Sequence, residues 1–127
     1  MNPNEPDGRI PVCKVSDIPL PPNGLRFFWH RGDRHIHCFV VMTNGCPEGY
    51  VNECAHRQLE LDWNPGKFFD LEQRFLVCST HGALFDPVSG ACLSGPCVGN
   101  SLHKLDLQTD DEQVFLQGTG SIVLEST

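Results

Sequence analysis

Residues 77–86 read VCSTHGALFD, a stretch in which Cys78 stands three positions before His81. Apolar segments flank the pair on both sides, so we expect the cysteine and the histidine to lie on a loop between two strands. A thiolate and an imidazole are both ligands of transition metals. One such pair is a weak sign of a metal site, and its meaning depends on whether the chain contains a second pair.

A second pair lies upstream in NECAHRQ, where one residue separates Cys54 from His56. The full pattern is Cys-x-His, 21 intervening residues, and Cys-x-x-His. Three interpretations remain: a structural zinc site with two Cys and two His ligands, a [2Fe–2S] cluster with two Cys on one iron and two His on the other, or chance in a cysteine-rich chain. Zinc sites favour a C-x₂₋₄-C knuckle, which these loops lack. One Cys and one His in each loop suit two irons, because each loop can send one ligand to each iron.

Size and composition narrow the class of protein. A chain of 127 residues predicts one domain, large enough to bury a core without disulfides. Its seven cysteines are an odd number and cannot all pair. No signal-peptide pattern is visible, and the longest wholly apolar run, CFVVM, is too short to cross a bilayer. We therefore expect a cytoplasmic protein with no membrane partner, and the net charge of −7 argues against nucleic acid.

Most of the chain consists of short runs rich in β-branched and aromatic residues, separated by Gly, Pro, Asn and Asp. Two pairs of runs are predicted to form hairpins, one turning at RGDR and the other at TDDE, and SIVLE is predicted to close the sheet. The pattern indicates an all-β fold of antiparallel sheets, a small barrel or sandwich. Residues 59–70, LELDWNPGKFFD, have a less regular pattern, and we expect them to form a long loop that leaves the sheet, called the excursion below.

The chain resembles Rieske iron–sulfur proteins of the small soluble ferredoxin kind that serves bacterial oxygenases. The resemblance rests on CAH, on CSTHGALFD, and on the following PVSGACLSGPCVGNSLHKLDL. In that family a Phe-Asp pair, a turn with Gly and a covering loop with Gly-Pro follow the second ligand loop. These features match Phe85-Asp86, Ser89-Gly90 and Gly95-Pro96. The resemblance implies a single Rieske domain over residues 1–127, with a cluster-binding subdomain at about residues 53–98 that contains two ligand loops and the covering loop.

The resemblance also implies the ligands of a Rieske-type [2Fe–2S] cluster. Cys54 and Cys78 would bind one iron, and His56 and His81 would bind the other. Imidazoles are neutral, so an added electron would stay on the His-ligated iron, at a higher potential than in an all-Cys cluster. No other cofactor and no catalytic residue is implied.

Several residues depart from the membrane-bound, high-potential branch of the family. In that branch each ligand loop carries an extra Cys, and the two form a disulfide, whereas this chain has Leu59 and Thr80 there. A Ser and a Tyr that donate hydrogen bonds to the cluster are replaced by Ala83 and Phe85. Cys97 is expected to fill the covering loop as a small apolar residue and to stay reduced, as is Cys92.

These observations predict an electron carrier rather than an enzyme. The expected partners are a reductase and a terminal oxygenase or a similar enzyme, and the isolated protein is expected to be a monomer. The alternative is a small subunit or interaction module of a larger oxidoreductase such as nitrite reductase. His30, His35 and His37 are predicted to lie on the solvated face of the RGDR hairpin rather than to bind metal.

Overall fold

The computed structural model describes residues 8–53, 61, 67–70, 74–78, 82–95 and 98–125. Within these residues the chain forms ten β-strands and one short 3-10 turn, Val15–Asp17. None of the described residues belongs to a helix long and apolar enough to span a bilayer. The strands are β1 (Arg9–Lys14), β2 (Leu25–Arg31), β3 (Arg34–Thr43), β4 (Cys46–Val51), β5 (Leu76–Val77), β6 (Leu84–Phe85), β7 (Cys92–Ser94), β8 (Leu107–Asp110), β9 (Gln113–Gln117) and β10 (Ser121–Leu124).

The described strands form three antiparallel sheets. The first has the order β1-β9-β8, the second β10-β2-β3-β4, and the third β5-β6-β7. All strand pairs are antiparallel, and the hairpins predicted at RGDR and TDDE are present as β2–β3 and β8–β9. The SIVLE segment closes the second sheet as β10, next to β2. The all-β prediction is confirmed.

A third hairpin, β3–β4, was missed by the sequence prediction. It turns at Asn44 and Gly45, whose φ angles of 52° and 78° are both left-handed. Asn-Gly is the preferred pair for such a turn, because both residues tolerate a positive φ. The strand after the turn begins at Cys46.

The apolar run in β3 is buried on both faces of the second sheet. Cys38 and Val40 face a core shared with the first sheet, whereas Phe39 and Val41 face a core shared with the third sheet. Burial on both faces replaces the usual alternation of apolar and polar residues with a continuous apolar stretch. The second sheet is thus the middle layer, and the third sheet, whose strand β5 directly precedes Cys78, packs on one side of it.

Two groups of buried side chains fill the spaces between the sheets. The base core lies on the side of the first sheet and consists of Val12, Cys13, Ile18, Phe27, Trp29, Cys38, Val40, Leu105, Val114 and Leu116. The ligand-side core lies on the side of the third sheet and consists of Phe39, Val41, Tyr50, Leu61, Phe68, Phe69, Leu76, Cys78, Ala83, Phe85, Cys92 and Leu102.

The described part of the 59–70 excursion packs into the ligand-side core. Leu61 and Phe68 are fully buried, and the Phe68 ring stacks on Phe39 with centroids 4.1 Å apart. The backbone N–H of Phe68 donates to the carbonyl of Pro22 at 3.0 Å, and its own carbonyl accepts from Val77. Gly24 leaves the space for this packing, because a Cβ atom there would lie 2.8 Å from Phe68 and 2.7 Å from Val41. The excursion therefore supplies part of the core beside Cys78.

We expect the two buried cysteines of the base core, Cys13 and Cys38, to react with thiol reagents much more slowly than Cys46. Burial raises the pKa of Cys13 to about 11, with a smaller contribution from the charge of Asp17, and that of Cys38 to about 12. At pH 8 their thiolate fractions are then about one in a thousand and one in ten thousand, and the thiolate is the reactive form. Cys46 is exposed and free. We expect a disulfide reagent at pH 8 to label Cys46 fast, and Cys46→Ser to remove that fast phase. Fast labelling of Cys13 or Cys38, located by peptide mass spectrometry, would contradict the prediction.

Candidate metal centre

Of the four predicted ligands, the structure describes Cys78, whereas Cys54, His56 and His81 lie outside the described residues. Cys78 carries a free thiol that is 1% exposed, inside the ligand-side core. It directly follows β5, as the sequence predicted. The described part of the chain contains no cluster of three His, Cys, Asp or Glu side chains that could hold a metal ion. The ligand set as a whole therefore stays a prediction.

The second ligand loop is closed by two backbone hydrogen bonds at its base. The N–H of Cys78 donates to the carbonyl of Ala83 at 2.9 Å, and the N–H of Gly82 donates to the carbonyl of Cys78 at 2.8 Å. Gly82 has a φ of +70°, a conformation that residues with a Cβ rarely adopt. These bonds join the two ends of the loop, so the backbone of Cys78 is held between β5 and β6. The free Cys78 thiol therefore lies, buried, at the base of a loop whose two ends are joined by hydrogen bonds.

The base of the first ligand loop is held by Asn52, two residues before Cys54. Asn52 is a polar residue only 4% exposed. Its backbone N–H donates to the carbonyl of His37 at 2.7 Å, and its side-chain Oδ1 accepts from the N–H of Leu61 at 2.9 Å. The residue thus joins β3, the first ligand loop and the excursion. The sequence prediction missed it, although a lone Asn between an apolar strand and a ligand is a recognisable signal of a buried side-chain-to-backbone bond.

The loop after β7 approaches the second ligand loop at Gly95. A Cβ atom at Gly95 would lie 3.0 Å from the Cα of Ala83 and 3.2 Å from its Cβ. The φ of Gly95 is +105°. The contact places the start of the predicted covering loop against the residue that closes the loop of Cys78. Pro96 and Cys97 lie outside the described residues, so their predicted roles stay predictions.

Gly95→Ala is expected to destabilise the protein more than Gly99→Ala. Both glycines have a strongly positive φ, +105° and +100°, but a Cβ at Gly99 would have no atom within 4 Å. The Gly99 variant should lose only the conformational term, about 1 kcal/mol, whereas the Gly95 variant adds a clash with the backbone of Ala83, for about 1–3 kcal/mol in total. Thermal unfolding of the iron-loaded protein measures the difference. Equal shifts in Tm for the two variants would show that the Gly95–Ala83 contact has no role.

The turn after β6 is tied to β4 across the ligand-side core. The Asp86 carboxylate accepts from the backbone N–H groups of Val88 and Ser89 at 2.8 and 3.0 Å. The fully buried Tyr50 donates its hydroxyl to the carbonyl of Pro87 at 2.7 Å. Burial, with the charges of Glu48 and Asp86, raises the pKa of Tyr50 well above its ordinary value, which keeps the hydroxyl protonated as a donor. The third sheet is therefore hydrogen-bonded to the middle layer as well as packed on it.

Cys92 differs from its prediction. The sequence predicted a reduced thiol, but Cys92 is disulfide-bonded, and its partner lies outside the described residues. Its side chain is buried in the ligand-side core, and its sulfur lies 3.4 Å from the carbonyl of Ser94. The prediction assumed that a reducing compartment decides the state of the thiol, and for Cys92 this assumption was wrong.

The three histidines of the RGDR hairpin lie where the sequence predicted. His30 and His35 face each other across β2 and β3, with ring centroids 4.4 Å apart. The ring of His37 contacts Phe28 edge-on at 4.7 Å. His35 and His37 are exposed and His30 is half-buried.

Comparison with protein families gives one match. A family model described as the Rieske [2Fe-2S] domain matches residues 8–117. No curated protein matches the chain by sequence.

Comparison with solved structures gives matches to ferredoxins and to an oxygenase. The ferredoxin of carbazole 1,9a-dioxygenase from Nocardioides aromaticivorans IC177 matches with a TM-score of 0.67 and 18% identity, over 89% of this chain and 100% of that one. The Sphingomonas yanoikuyae B1 ferredoxin matches with a TM-score of 0.65 and 18% identity, over 88% of this chain and 100% of that one. The terminal oxygenase of carbazole 1,9a-dioxygenase from Novosphingobium sp. KA1 matches with a TM-score of 0.69 and 16% identity, over 91% of this chain but 31% of the oxygenase. At these identities the matches establish a shared fold.

Proposed function

Because the chain belongs to the Rieske [2Fe-2S] domain family, we propose that it is a one-electron carrier between a reductase and a terminal oxygenase or similar enzyme. The Rieske-type [2Fe–2S] cluster is the cofactor of this family, and it supplies a site that takes up and releases one electron. The ligands are proposed to be Cys54 and Cys78 on one iron and His56 and His81 on the other. The burial of the free Cys78 thiol at the tied base of its loop supports this assignment.

The observation that carries the carrier function is the extent of the structural matches. The chain matches two ferredoxins over the whole of their length, but it matches only 31% of a terminal oxygenase. The chain therefore corresponds to a whole ferredoxin, but to only one part of an oxygenase. One matched structure is a complex of reduced oxygenase and oxidised ferredoxin, which supports an oxygenase as the class of acceptor.

The remaining proposals concern organisation and location. Residues 1–127 are proposed to form one domain, with the cluster-binding subdomain at about residues 53–98. The hydrogen bond from Tyr50 to Pro87 and the shared ligand-side core support one domain, because they join the third sheet to the middle layer. The protein is proposed to be cytoplasmic and monomeric when isolated. The free thiols of Cys13, Cys38, Cys46 and Cys78 support a reducing compartment, whereas the bonded Cys92 does not.

The carrier function is tested by counting electrons in the iron-loaded protein. Anaerobic titration with dithionite should consume about one electron for every two irons, the capacity of a [2Fe–2S] cluster. The reduced protein should then pass its electron to cytochrome c in a single fast step. Failure to reduce reversibly would contradict the proposal. Purification as a tight, salt-resistant complex with a large enzyme would instead favour the subunit of a larger oxidoreductase.

A further inference from the structure

A groove of about 770 Å³ lies beside the projecting end of the β2–β3 hairpin. Strand β3 begins at Arg34 but pairs with β4 only from Cys38 onward, so its first four residues extend beyond β4. The groove is lined by the end of the hairpin, by residues 51–53 and by residues 103–105. We call it the hairpin groove.

The hairpin groove combines an apolar floor with a cationic rim. The register pairs Trp29 with Ile36 and Arg31 with Arg34, so these four side chains share one face of the sheet. Trp29 is buried in the base core, and Ile36 packs against that core. The Arg31 guanidinium lies 5.3 Å from the centroid of the Trp29 ring, a cation–π distance that holds the charge near the floor.

The charged groups that line the groove are mostly positive. Among the described residues they are Arg31, Arg34, Lys104 and Glu53. Lys104 already has a partner, because its amine lies 3.1 Å from the carboxylate of Glu48. Arg31 and Arg34 are exposed, and neither has a carboxylate within ion-pair distance in the described part of the chain. Their guanidinium groups are thus free to bind an anion.

These free arginines are unusual for a chain with a net charge of −7. Two other arginines in the described strands, Arg9 and Arg26, form ion pairs with Asp110 and Glu125. The turn between Arg31 and Arg34 contains one acid, Asp33, which does not line the groove. The hairpin end is therefore a local positive site on a negative molecule, and such a charge distribution orients an approaching partner.

We propose that the hairpin groove is the docking site for an acidic segment of the redox partner. Carboxylates of that segment pair with Arg31 and Arg34, whose planar guanidinium groups bind carboxylates through two parallel hydrogen bonds. An apolar side chain of the same segment covers Trp29 and Ile36. A small inorganic anion would leave that floor exposed to water, which favours a peptide segment as the occupant.

Docking in the groove would bring the partner close to a predicted cluster ligand. This step of the inference rests on the proposed electron-carrier function. Residues 51–53 line the groove and directly precede the predicted ligand Cys54 in the chain. A partner segment seated in the groove therefore lies beside the start of the first ligand loop. The chain is negative overall, so without the groove it would favour basic surfaces only.

The docking site is tested by peptide binding to the iron-loaded protein. The probe is a fluorescein-labelled ten-residue peptide of Glu, Leu and Ser, followed by fluorescence anisotropy at low salt. The variants are Arg31→Glu with Arg34→Glu, and a control, Lys14→Glu with Lys67→Glu, which changes the net charge equally at two exposed lysines outside the groove. We expect the arginine variant to weaken binding about tenfold or more, because two exposed ion pairs become repulsions, whereas the lysine variant changes it less than about twofold.

Three outcomes would overturn the proposal: no binding by the wild type, equal weakening in both variants, or full displacement of the peptide by an equal concentration of inorganic phosphate. The last would identify a small-anion site. Visible absorption and far-UV circular dichroism of each variant should equal those of the wild type, since the substituted arginines are exposed. Because binding is measured without electron transfer, a protein that binds the peptide but holds no cluster would contradict the proposed function and leave the docking site supported.

Discussion

Cys78→Ser is expected to abolish cluster binding, taking the iron content from about two irons and two acid-labile sulfides per chain to near zero. The thiolate is the form of cysteine that binds metal, whereas a serine hydroxyl stays protonated near neutral pH. Cys78 is 1% exposed, so the serine would also bury a hydroxyl in the ligand-side core. Iron, zinc and sulfide analysis with visible spectroscopy gives the result. The same loss is expected for Cys54→Ser.

Cys38→Ser is the matched control for this experiment. Cys38 is also free and 1% exposed, but it lies in the base core on the other face of β3. The control should therefore lose a similar amount of stability through the buried hydroxyl, but it should keep its iron. If the Cys78 variant kept the full iron content, or if the control lost as much iron as the Cys78 variant, the assignment of Cys78 as a ligand would be contradicted. One zinc per chain in wild-type protein made with ample iron, with no visible absorption, would favour the structural zinc site instead.

Rieske clusters have reduction potentials from about −150 to +300 mV. We expect the potential of this protein to lie in the lower half of that range and to be negative. Hydrogen bonds to the cluster sulfurs raise the potential, because each donor offsets negative charge in the reduced state. Ala83 and Phe85 lack the hydroxyls that supply two such bonds in the high-potential branch. Both side chains are fully buried in the ligand-side core with Cys78, and Ala83 accepts the backbone hydrogen bond of Cys78.

The double variant Ala83→Ser with Phe85→Tyr should raise the potential. A hydrogen bond that favours the reduced state by 1.4 kcal/mol corresponds to about 59 mV for one electron, so two bonds of this strength would give about 120 mV. Protein-film voltammetry measures the shift. Ala91→Ser is the control, because it adds a hydroxyl in the β6–β7 turn, where the backbone of Ala91 pairs with Ser101 and Asp86 rather than with the Cys78 loop, and it should leave the potential unchanged. A wild-type potential above about +150 mV, well inside the upper half of the range, would mean that other donors control it.

The strands were largely predictable because their signals are local. Short runs rich in β-branched and aromatic residues predicted the strands, and RGDR and TDDE predicted two hairpins that the structure contains. The missed turn at Asn44 and Gly45 also carried a local signal, since Asn-Gly is the commonest pair for a tight hairpin. Its neighbour Pro47 obscured the strand that follows, because proline weakens a strand pattern even where it is tolerated at an edge.

The sequence predicts ligands for the candidate site but not the residues that support them. Spacing and the family resemblance together predict Cys78 as a ligand, and the structure places its buried thiol at the base of a hydrogen-bonded loop, whereas the other three ligands stay predictions. The supports are contacts between distant parts of the chain: Asn52 bonds Leu61, and Gly95 packs on Ala83. A local pattern can suggest that a residue such as Asn52 makes a buried bond, but it does not specify the partner, because each partner depends on where the three sheets come to lie.

The packing of Gly24 against Phe68 has a consequence for how this fold can vary in evolution. A side chain at position 24 and a phenyl ring at position 68 compete for one volume, since a Cβ on Gly24 would lie 2.8 Å from the ring. Relatives that retain the excursion should keep glycine at the first position and a flat aromatic residue at the second. Relatives that lack the excursion lose the ring that stacks on Phe39, and a branched residue in place of Gly24 can then fill the gap. The two positions should thus covary with the length of the segment between the ligand loops.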